Sequence, residues 1–374
     1  MPPIYLDNAA STRVSDDVLA LMTEVMRTSW GNPSASHPQG ASSRGFIAEG
    51  RDRLVAALGG AGEVVFTSGC SEANALAVLG AARTHAGAIV ISTLEHPAVS
   101  NLADQLEREG REVRRVAPGR DGVLDPETVA AACDSAGVVS IVMVQNEIGV
   151  VQPIGAIVAA IRARAPAAHV HLDAAQAFGK IAIDAGALGA DSIAIAGHKL
   201  HAPKGVGALW LRAGAAIAPL WTGGGQQGGL RGGTQDAPAA AALGLAAQRA
   251  VAALPRARAH WLAQAARVLD AVAPLGVRAL VPDQRRAPHI LALAVPGVPA
   301  AALRNVLASR GVYISTGSAC STAGSKPSPA LAAIGFPEDA GMVRLSFALD
   351  TTDADVDAAA AILADVVREL QKKT

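Results

Sequence analysis

The sequence contains few cysteines and few aromatic residues. Its 374 residues include 3 cysteines, and these, Cys70, Cys133 and Cys320, stand far apart in the chain. An odd number without close spacing argues against a disulfide framework and against a paired-cysteine metal site, and it favours a reducing compartment. We therefore expect a cytoplasmic protein.

The chain also lacks an excess of either charge and long apolar runs. Lys+Arg and Asp+Glu are both 32, so no long-range field would attract nucleic acid or anionic lipid. The segment MPPIYLDNAAS has no basic stretch followed by an apolar one, and no stretch reaches the roughly 18 apolar residues of a membrane-spanning helix. We expect a soluble protein that binds neither nucleic acid nor a membrane.

What the chain has in plenty is small and branched aliphatic residues, with 51% hydrophobic against 17% charged. Short β-branched runs alternate with longer segments in which apolar residues recur at helical spacing. This alternation predicts an α/β fold with a largely parallel sheet covered by helices on both faces. The predicted strands are residues 64–67, 88–92, 138–144, 169–173, 192–196 and 208–211, and the predicted helices are residues 71–85, 100–108, 154–164 and 237–253.

The pattern changes near residue 255. An Arg-rich amphipathic helix is followed by fewer strands, interleaved differently with helices. We predict a large domain, residues 13–255, and a smaller α+β domain formed by residues 1–12 and 256–374. The predicted elements of the smaller domain are helices at 257–272, 300–310 and 353–371 and strands at 289–295, 312–315 and 342–348.

Four polar side chains lie at or after the ends of three predicted strands of the large domain. Lys199 lies in GHKLHAPKGVGALW, Asp173 and Gln176 lie in DAAQ, and His96 lies in STLEHPAV. The carboxyl ends of parallel strands meet at one crevice, so we expect these side chains to converge, although a single lysine of this kind is ordinarily a solvated residue. Pyridoxal phosphate needs such a set: an amine for the Schiff base, a carboxylate at the pyridine nitrogen, a donor to the phenolate oxygen and a flat group on the ring face.

Two glycine-containing segments are candidate phosphate sites. FTSGCSEANAL (66–76) predicts a strand, a turn and a helix that begins with Ser71 as its N-cap, which is weak evidence by itself. GGGQQGG (223–229) has the spacing of a dinucleotide-binding loop but does not open a βαβ unit, so we reject that interpretation. RGGT (231–234) is either a loop that reaches the phosphate of a neighbouring subunit or an ordinary surface turn.

Two further candidates lie near the carboxyl end. Cys320 stands among small polar residues in STGSACSTAGSKPSP, which favours an exposed nucleophile over a buried structural cysteine. Arg344 lies within the apolar run VRLSF, where it is expected to pair with a carboxylate of either a substrate or an internal Asp or Glu. His169 and His171 alternate across a predicted strand with no third ligand nearby, so we predict no metal site.

Together these segments resemble the cysteine desulfurases of the NifS/IscS type, within the class V, fold-type I pyridoxal-phosphate enzymes. The resemblance covers nearly the whole chain, with the motifs in family order. They are YLDNAAST (5–12), NPSASH (32–37), FTSGCSEAN (66–74), EHPAV (95–99), QNEIGVVQPI (145–154), HLDAAQAFGK (171–180), GHKLHAPKGVGAL (197–209), GGGQ (223–226) with RGGT (231–234), TGSACS (316–321) and VRLS (343–346).

The resemblance implies pyridoxal phosphate as cofactor, bound through a Schiff base to Lys199. It implies that His96 stacks on the ring, Asp173 pairs with the pyridine nitrogen and Gln176 bonds the phenolate oxygen. Ala196 replaces a hydroxyl residue that contacts the phosphate in many relatives. The other implied cofactor-binding residues are Cys70 and Ser71, where relatives commonly have Ala-Thr, His198, and Thr234 from the second subunit of a homodimer.

The resemblance also implies L-cysteine as substrate, with its carboxylate bound by Asn146 and Arg344. Cys320 would take the substrate sulfur, leaving alanine and a persulfide, and would pass the sulfur to an acceptor protein such as an iron–sulfur scaffold or a sulfur carrier for tRNA or cofactor thiolation. His96 is the nearest candidate to accept the thiol proton of Cys320. Two alternatives stay open: a selenocysteine lyase or other carbon–sulfur lyase with the same cofactor, and a non-catalytic sulfur-relay scaffold.

Overall fold

The computed structural model describes residues 3–316, 328–337 and 340–372. Its helices are α1 (Asp16–Thr28), α2 (Pro38–Ala57), α3 (Cys70–Thr84), α4 (Pro97–Arg108), α5 (Pro126–Ala131), α6 (Ile154–Arg164), α7 (Ala185–Leu188), α8 (Ala237–Val272), α9 (Ala300–Ser309), α10 (Pro329–Ala333) and α11 (Asp353–Gln371). Its strands are β1 (Ile4–Tyr5), β2 (Glu63–Thr67), β3 (Ala88–Ser92), β4 (Val113–Val116), β5 (Ala136–Val142), β6 (His169–Asp173), β7 (Ser192–Ala196), β8 (Gly207–Leu211), β9 (Arg278–Ala279), β10 (Ile290–Pro296), β11 (Val312–Tyr313), β12 (Ser315–Thr316) and β13 (Ala340–Ser346).

Seven strands form a central sheet in the order β2-β8-β7-β6-β5-β3-β4. Strand β8 runs antiparallel to both of its neighbours, and the other adjacent pairs are parallel. Every residue of β6 and β7 is buried, as expected for strands that helices cover on both faces. The predicted α/β class with a mostly parallel sheet is confirmed.

A second, antiparallel sheet has the order β12-β13-β10-β9, and β1 pairs with β11 in parallel. The sequence predicted one strand over residues 312–315, but the structure divides this segment between two sheets. Tyr313 pairs with Tyr5 of the amino-terminal strand, whereas Ser315 pairs with Arg344. The prediction was wrong here because nothing local in the sequence signals pairing to a strand some 300 residues away.

Two hydrophobic cores flank the second sheet. Alternate side chains of a strand point to opposite faces, so Ile290 and Ala292 of β10 join the core of the large sheet, whereas Leu291 and Leu293 join the smaller core. The smaller core also includes Ile4 and Leu6. This packing brings the amino-terminal segment against the carboxyl-terminal part of the chain, and the domain limits 13–255 and 256–374 stay a prediction.

Helix α8 is continuous over 36 residues, although the sequence predicted two helices with a break near residue 255. Pro255 lies inside it, where proline lacks an N–H donor and crowds the preceding turn. Burial at both ends opposes that cost, because Leu243 packs in the first core and Trp261 in the second. Near its start, α8 lies so close to α2 that a Cβ added to Gly244 would come within 2.6 Å of the Gly50 backbone.

Helix α8 and the turn after it (Ala237–Leu275) are long enough to cross a membrane, and an 18-residue window within them is apolar enough, with a mean hydropathy of 1.3. This differs from the prediction that no stretch of the chain is apolar enough to span a membrane. More than half of this window, 56%, is buried inside the protein, and the core helix of a soluble protein passes the same test. We interpret α8 as a core helix.

Candidate active site

A cavity of about 720 Å³ lies at the carboxyl ends of the central parallel strands. Asp173 is the last residue of β6, Lys199 ends the short helical turn that follows β7, and Asn146 follows β5. These three residues line the cavity because open α/β sheets form their crevice at this edge. The volume is within the usual range for small-molecule sites.

All of the predicted site residues except Thr234 and Cys320 line this one cavity. Thr234 is exposed and lies away from it in the single chain, so its assignment to the site of a second subunit stays a prediction. Cys320 lies outside the described residues. The predicted residues that line the cavity are Cys70, Ser71, His96, Asn146, Asp173, Gln176, His198, Lys199 and Arg344.

The buried Asp173 carboxylate is held by donors on both oxygens. Its Oδ1 accepts from the Ala175 N–H at 2.8 Å, and its Oδ2 accepts from Asn74 Nδ2 at 2.7 Å. The Cys70 thiol lies 3.7 Å from Oδ1 as a third donor. A buried carboxylate requires such donors, and they fix its orientation at the cavity wall.

The Lys199 amine and the Cys70 thiol are both driven towards their neutral forms. Desolvation lowers the pKa of Lys199, against the opposing effect of Cys70 and Asp173. Desolvation and the Asp173 charge raise the pKa of Cys70 well above its usual value. Lys199 is therefore suited to act as an amine nucleophile and base, and Cys70 acts as a hydrogen-bond donor.

His96 occupies the N-cap position of α4. Its Nδ1 accepts from the Ala98 N–H at 3.1 Å, so the neutral ring carries its proton on Nε2. Desolvation and the positive charge of Lys199 lower its pKa, which keeps the ring neutral. His96 can accept a further proton only on Nδ1, and only if the Ala98 N–H first releases that atom. Its predicted role as the base for Cys320 therefore requires this hydrogen bond to break.

The structure corrects the predicted start of α3. The helix begins at Cys70 with Gly69 at the N-cap, and Ser71 lies in the first turn without a capping bond. The Glu72 carboxylate accepts the N–H of Ser68, the residue before the N-cap, at 2.6 Å, which fixes the turn that enters the helix. The turn is tight because β8 packs against it: a Cβ at Gly207 would come within 2.7 Å of the Gly69 Cα. The first N–H groups of α3 have no partners in their own helix, and the residues that carry them, Cys70, Ser71 and Glu72, line the cavity.

The segment that follows β1 covers another side of the cavity. Gln176 Nε2 donates to the carbonyl of Ala9 at 2.8 Å, and His198 Nδ1 lies 3.3 Å from the Ser11 hydroxyl. Desolvation and the nearby lysines lower the pKa of His198 to about 4, so its ring is neutral. The amino-terminal motif YLDNAAST thus forms part of the site. Ala196 also lines the cavity, at the place where the resemblance implies a lost hydroxyl.

Arg344 has an internal partner, one of the two kinds that the sequence left open. Its Nη2 lies 2.7 Å from Asp7 Oδ1, and its Nη1 donates to the main-chain carbonyl of Asn146 at 2.6 Å. Its Nε has no partner among the described residues. The side chain is buried yet lines the cavity, which leaves donor capacity for a bound anion.

Sequence reasoning missed two residues that shape the site. Asn74 could have been found, because it lies on α3 one turn after Cys70 and therefore on the same side of the helix. The role of Glu95 could not have been found from the sequence, because one of its partners, Val142, is distant in the chain. Glu95 Oε1 accepts from Ser92 Oγ at 2.6 Å and from the Val142 N–H at 2.7 Å, and burial raises its pKa to about 8.

Comparisons with known proteins agree with this architecture. The Aminotransferase class-V family model matches residues 4–359. A protein named cysteine desulfurase from Rhodobacter capsulatus is 38% identical over 99% of this chain and 98% of its own length. The chain therefore belongs to the class-V aminotransferase family.

Solved structures show the same fold. A structure titled NifS-like protein has a TM-score of 0.92 at 30% identity and covers 98% of this chain and 100% of its own. A structure titled SspA in complex with cysteine has a TM-score of 0.79 at 30% identity and covers 92% of this chain and 98% of its own. The similarity extends over both sheets.

Proposed function

We propose that this protein is a cysteine desulfurase that depends on pyridoxal phosphate. It would remove the sulfur of L-cysteine, release L-alanine and retain the sulfur as a persulfide on Cys320. One observation carries the proposal: Lys199, Asp173 and His96, from separate strand ends, line one cavity in a chain that is similar over its whole length to proteins named cysteine desulfurases.

The residues of the cavity fit this cofactor. Lys199 would hold it covalently through its amine, the fixed Asp173 carboxylate would keep a proton on the ring nitrogen, and the first turn of α3 would bind the phosphate with its N–H groups and Ser71. His96 would cover one ring face. When bound, the cofactor supplies an electron sink for the electrons released at the substrate Cα.

Arg344 and Asn146 would bind the substrate carboxylate. The Arg344 guanidinium is buried, lines the cavity and has one N–H without a partner among the described residues. A buried guanidinium is a strong site for a carboxylate because its N–H groups form charge-assisted hydrogen bonds. This position would place the substrate amine on the Lys199 side of the cavity.

Two protein groups, the Lys199 amine and the Cys320 thiol, would then transfer the proton and the sulfur. The Lys199 amine, whose pKa is lowered, would accept the proton from the substrate Cα. The Cys320 thiol would lose its proton, and its sulfur would bond to the substrate sulfur as the substrate Cβ–S bond breaks. A proton added at Cβ completes alanine, so one thiol and one cysteine give one persulfide and one alanine with no external oxidant or reductant.

Partners of the protein are also part of the proposal. A persulfide on Cys320 would be passed to an acceptor protein, either an iron–sulfur scaffold or a sulfur carrier. A homodimer would bring Thr234 of one subunit to the phosphate of the other, which accounts for its exposed position in the single chain. A cytoplasmic location stays a prediction from the low number of cysteines.

The test is to incubate the purified protein and pyridoxal phosphate with L-cysteine and to measure alanine, sulfide and protein-bound persulfide. We expect alanine and persulfide in equal amounts in the first turnover. Cys320→Ala should bind the cofactor normally yet form no persulfide and little alanine. If this variant released alanine at the wild-type rate, Cys320 would not be the nucleophile.

The same assay separates the two alternative functions. A selenocysteine lyase would process selenocysteine much faster than cysteine, and its activity would survive the loss of Cys320. A non-catalytic scaffold would form no alanine with either substrate, although it could accept sulfur from another persulfide donor.

A further inference from the structure

A chain of buried side-chain hydrogen bonds extends from Asp173 away from the cavity. Asn74 Nδ2 lies 2.7 Å from Asp173 Oδ2, and Asn74 Oδ1 lies 2.9 Å from His171 Nε2. His171 Nδ1 lies 2.9 Å from Ser192 Oγ, and His169 Nε2 lies 2.8 Å from the same oxygen. All five side chains are buried, and of these residues only Asp173 and Asn74 line the cavity.

The proton positions in this chain have one consistent direction. Asn74 must donate with Nδ2 to the carboxylate, so its Oδ1 faces His171 and accepts from Nε2–H. A neutral ring then has a lone pair on Nδ1, which accepts the Ser192 hydroxyl proton. The Ser192 oxygen in turn accepts from His169 Nε2–H. In this order each N–H or O–H group has one acceptor. All four hydrogen bonds run in the same direction, from His169 towards Asp173.

Both histidines are neutral, as this order requires. Desolvation lowers the pKa of His171 to about 3 and that of His169 to about 4. A charged His171 would carry a second proton on Nδ1, and Ser192 would have to reverse its hydroxyl. The groups on the other side of Asp173, towards the cavity, are ionisable ones. They are the Lys199 amine and the Cys70 thiol, with Glu95 as a further ionisable neighbour.

We propose that His171, which does not line the cavity, is a positioning residue that acts through Asn74 to hold the Asp173 carboxylate in the orientation that faces the cofactor nitrogen. This inference rests on the proposed function. Asn74, the last donor of the chain, holds Oδ2 while the Ala175 N–H holds Oδ1, and donors on both oxygens resist rotation of the carboxylate. Loss of the His171 hydrogen bond to Asn74 should therefore loosen the orientation of the Asp173 carboxylate, and so weaken its bond to the cofactor nitrogen. It removes no group that touches the substrate.

Two variants of His171 test the proposal. His171→Leu has no donor for Asn74, whereas the amide of His171→Gln can still donate to Asn74 and accept from Ser192. Ser140→Ala is the matched control, because Ser140 pairs with His171 across adjacent strands, is fully buried, and has a hydroxyl without a partner in the described part of the chain. Each variant should be purified with cofactor and checked by circular dichroism.

The measured quantities are kcat and KM for L-cysteine, the visible absorbance of the bound cofactor as a function of pH, and the rate of cofactor loss on dilution. For His171→Leu we expect kcat to fall and cofactor loss to accelerate, each on the order of tenfold, as for other groups that orient a ligand-binding residue. KM should change little, and the midpoint of the absorbance titration should shift. His171→Gln and Ser140→Ala should stay close to the wild type in all readouts.

Nitrogen NMR of the histidine-labelled wild-type protein tests the proton order without relying on the folding of His171→Leu. The His171 signals, assigned by their loss in His171→Gln, should show a neutral ring with its proton on Nε2 throughout the range from pH 5 to 8. A proton on Nδ1, or a ring that titrates near pH 6.5, would overturn the proposal, and so would a folded His171→Leu that matches Ser140→Ala in kcat and absorbance. A wild-type protein that formed no alanine from cysteine would instead contradict the proposed function and leave the NMR result to decide the hydrogen-bond chain.

Discussion

Arg344 is bound to Asp7 at the cavity wall, with Nη2 2.7 Å from Oδ1. Asp7 belongs to the amino-terminal segment and Arg344 to β13, so this pair joins the two ends of the chain at the site. A substrate carboxylate that binds Arg344 would enter beside the Asp7 carboxylate. Asp7 holds the guanidinium in place and, if Arg344 binds the substrate carboxylate as proposed, would oppose that binding by its charge.

Substitution of the two partners should change KM in opposite directions. Asp7→Asn keeps an oxygen for Nη2 but removes the charge, so we expect a lower KM for L-cysteine. Arg344→Lys loses the planar pair of donors, and we expect KM to rise by about tenfold with a smaller change in kcat. Steady-state rates of alanine formation give both values. An increase in KM for both variants would mean that Asp7 orients Arg344 more than it competes with the substrate.

Lys199→Ala should abolish covalent attachment of pyridoxal phosphate. Without the amine, we expect loss of the yellow colour that survives gel filtration, and alanine formation below detection. Lys204→Ala is a suitable control, because Lys204 also lines the cavity and should leave the attachment intact. Borohydride reduction followed by peptide mass spectrometry identifies the attached lysine, and a label that persists in the Lys199 variant would contradict the assignment.

The three cysteines should differ widely in reactivity. Burial raises the pKa of Cys133 to about 11 and that of Cys70 well above its usual value, and a thiolate is the form that reacts. At pH 8, iodoacetamide should therefore label Cys320 first in the folded protein. Mass spectrometry of timed samples measures the order, and urea-unfolded protein, in which all three should react, is the control. Early labelling of Cys70 would contradict this prediction.

Glu95 should make the protein less stable as pH rises. Its pKa is near 4.5 in the unfolded chain and about 8 in the fold, so its favourable contribution is complete below pH 4.5 and is lost as pH rises through 8. Glu95→Gln keeps Oε1 for Ser92 and Val142 but does not ionise. Relative to the wild type, the variant should gain roughly 2–4 kcal/mol of unfolding free energy between pH 5 and pH 9.

Urea unfolding of both proteins at pH 5, 7 and 9 measures this difference. The other titrating groups are common to the two proteins and cancel in the comparison. A constant difference across the three pH values would mean that Glu95 titrates in the fold as it does in the unfolded chain.

Local patterns in the sequence predicted the parallel strands and the side chains at their ends. Asp173 and Lys199 could be placed in one cavity because each stands at or just after the end of a short segment that the sequence predicts as a strand, and the carboxyl ends of parallel strands meet at one crevice. The path of α8 through Pro255 could not be predicted, because tertiary burial on both sides overrides the local preference. The Asp7 and Arg344 pair and the partners of Glu95 are contacts between distant segments, which a sequence pattern does not encode.

Helix α8 joins the two hydrophobic cores by a single rod about 54 Å long, at 1.5 Å per residue over its 36 residues. Neither core can melt without fraying a helix on which the other depends. Heat should therefore denature the protein in one cooperative transition. Any rigid-body rotation of the smaller core relative to the larger one requires α8 to bend, and Pro255 is where a bend in this helix is expected.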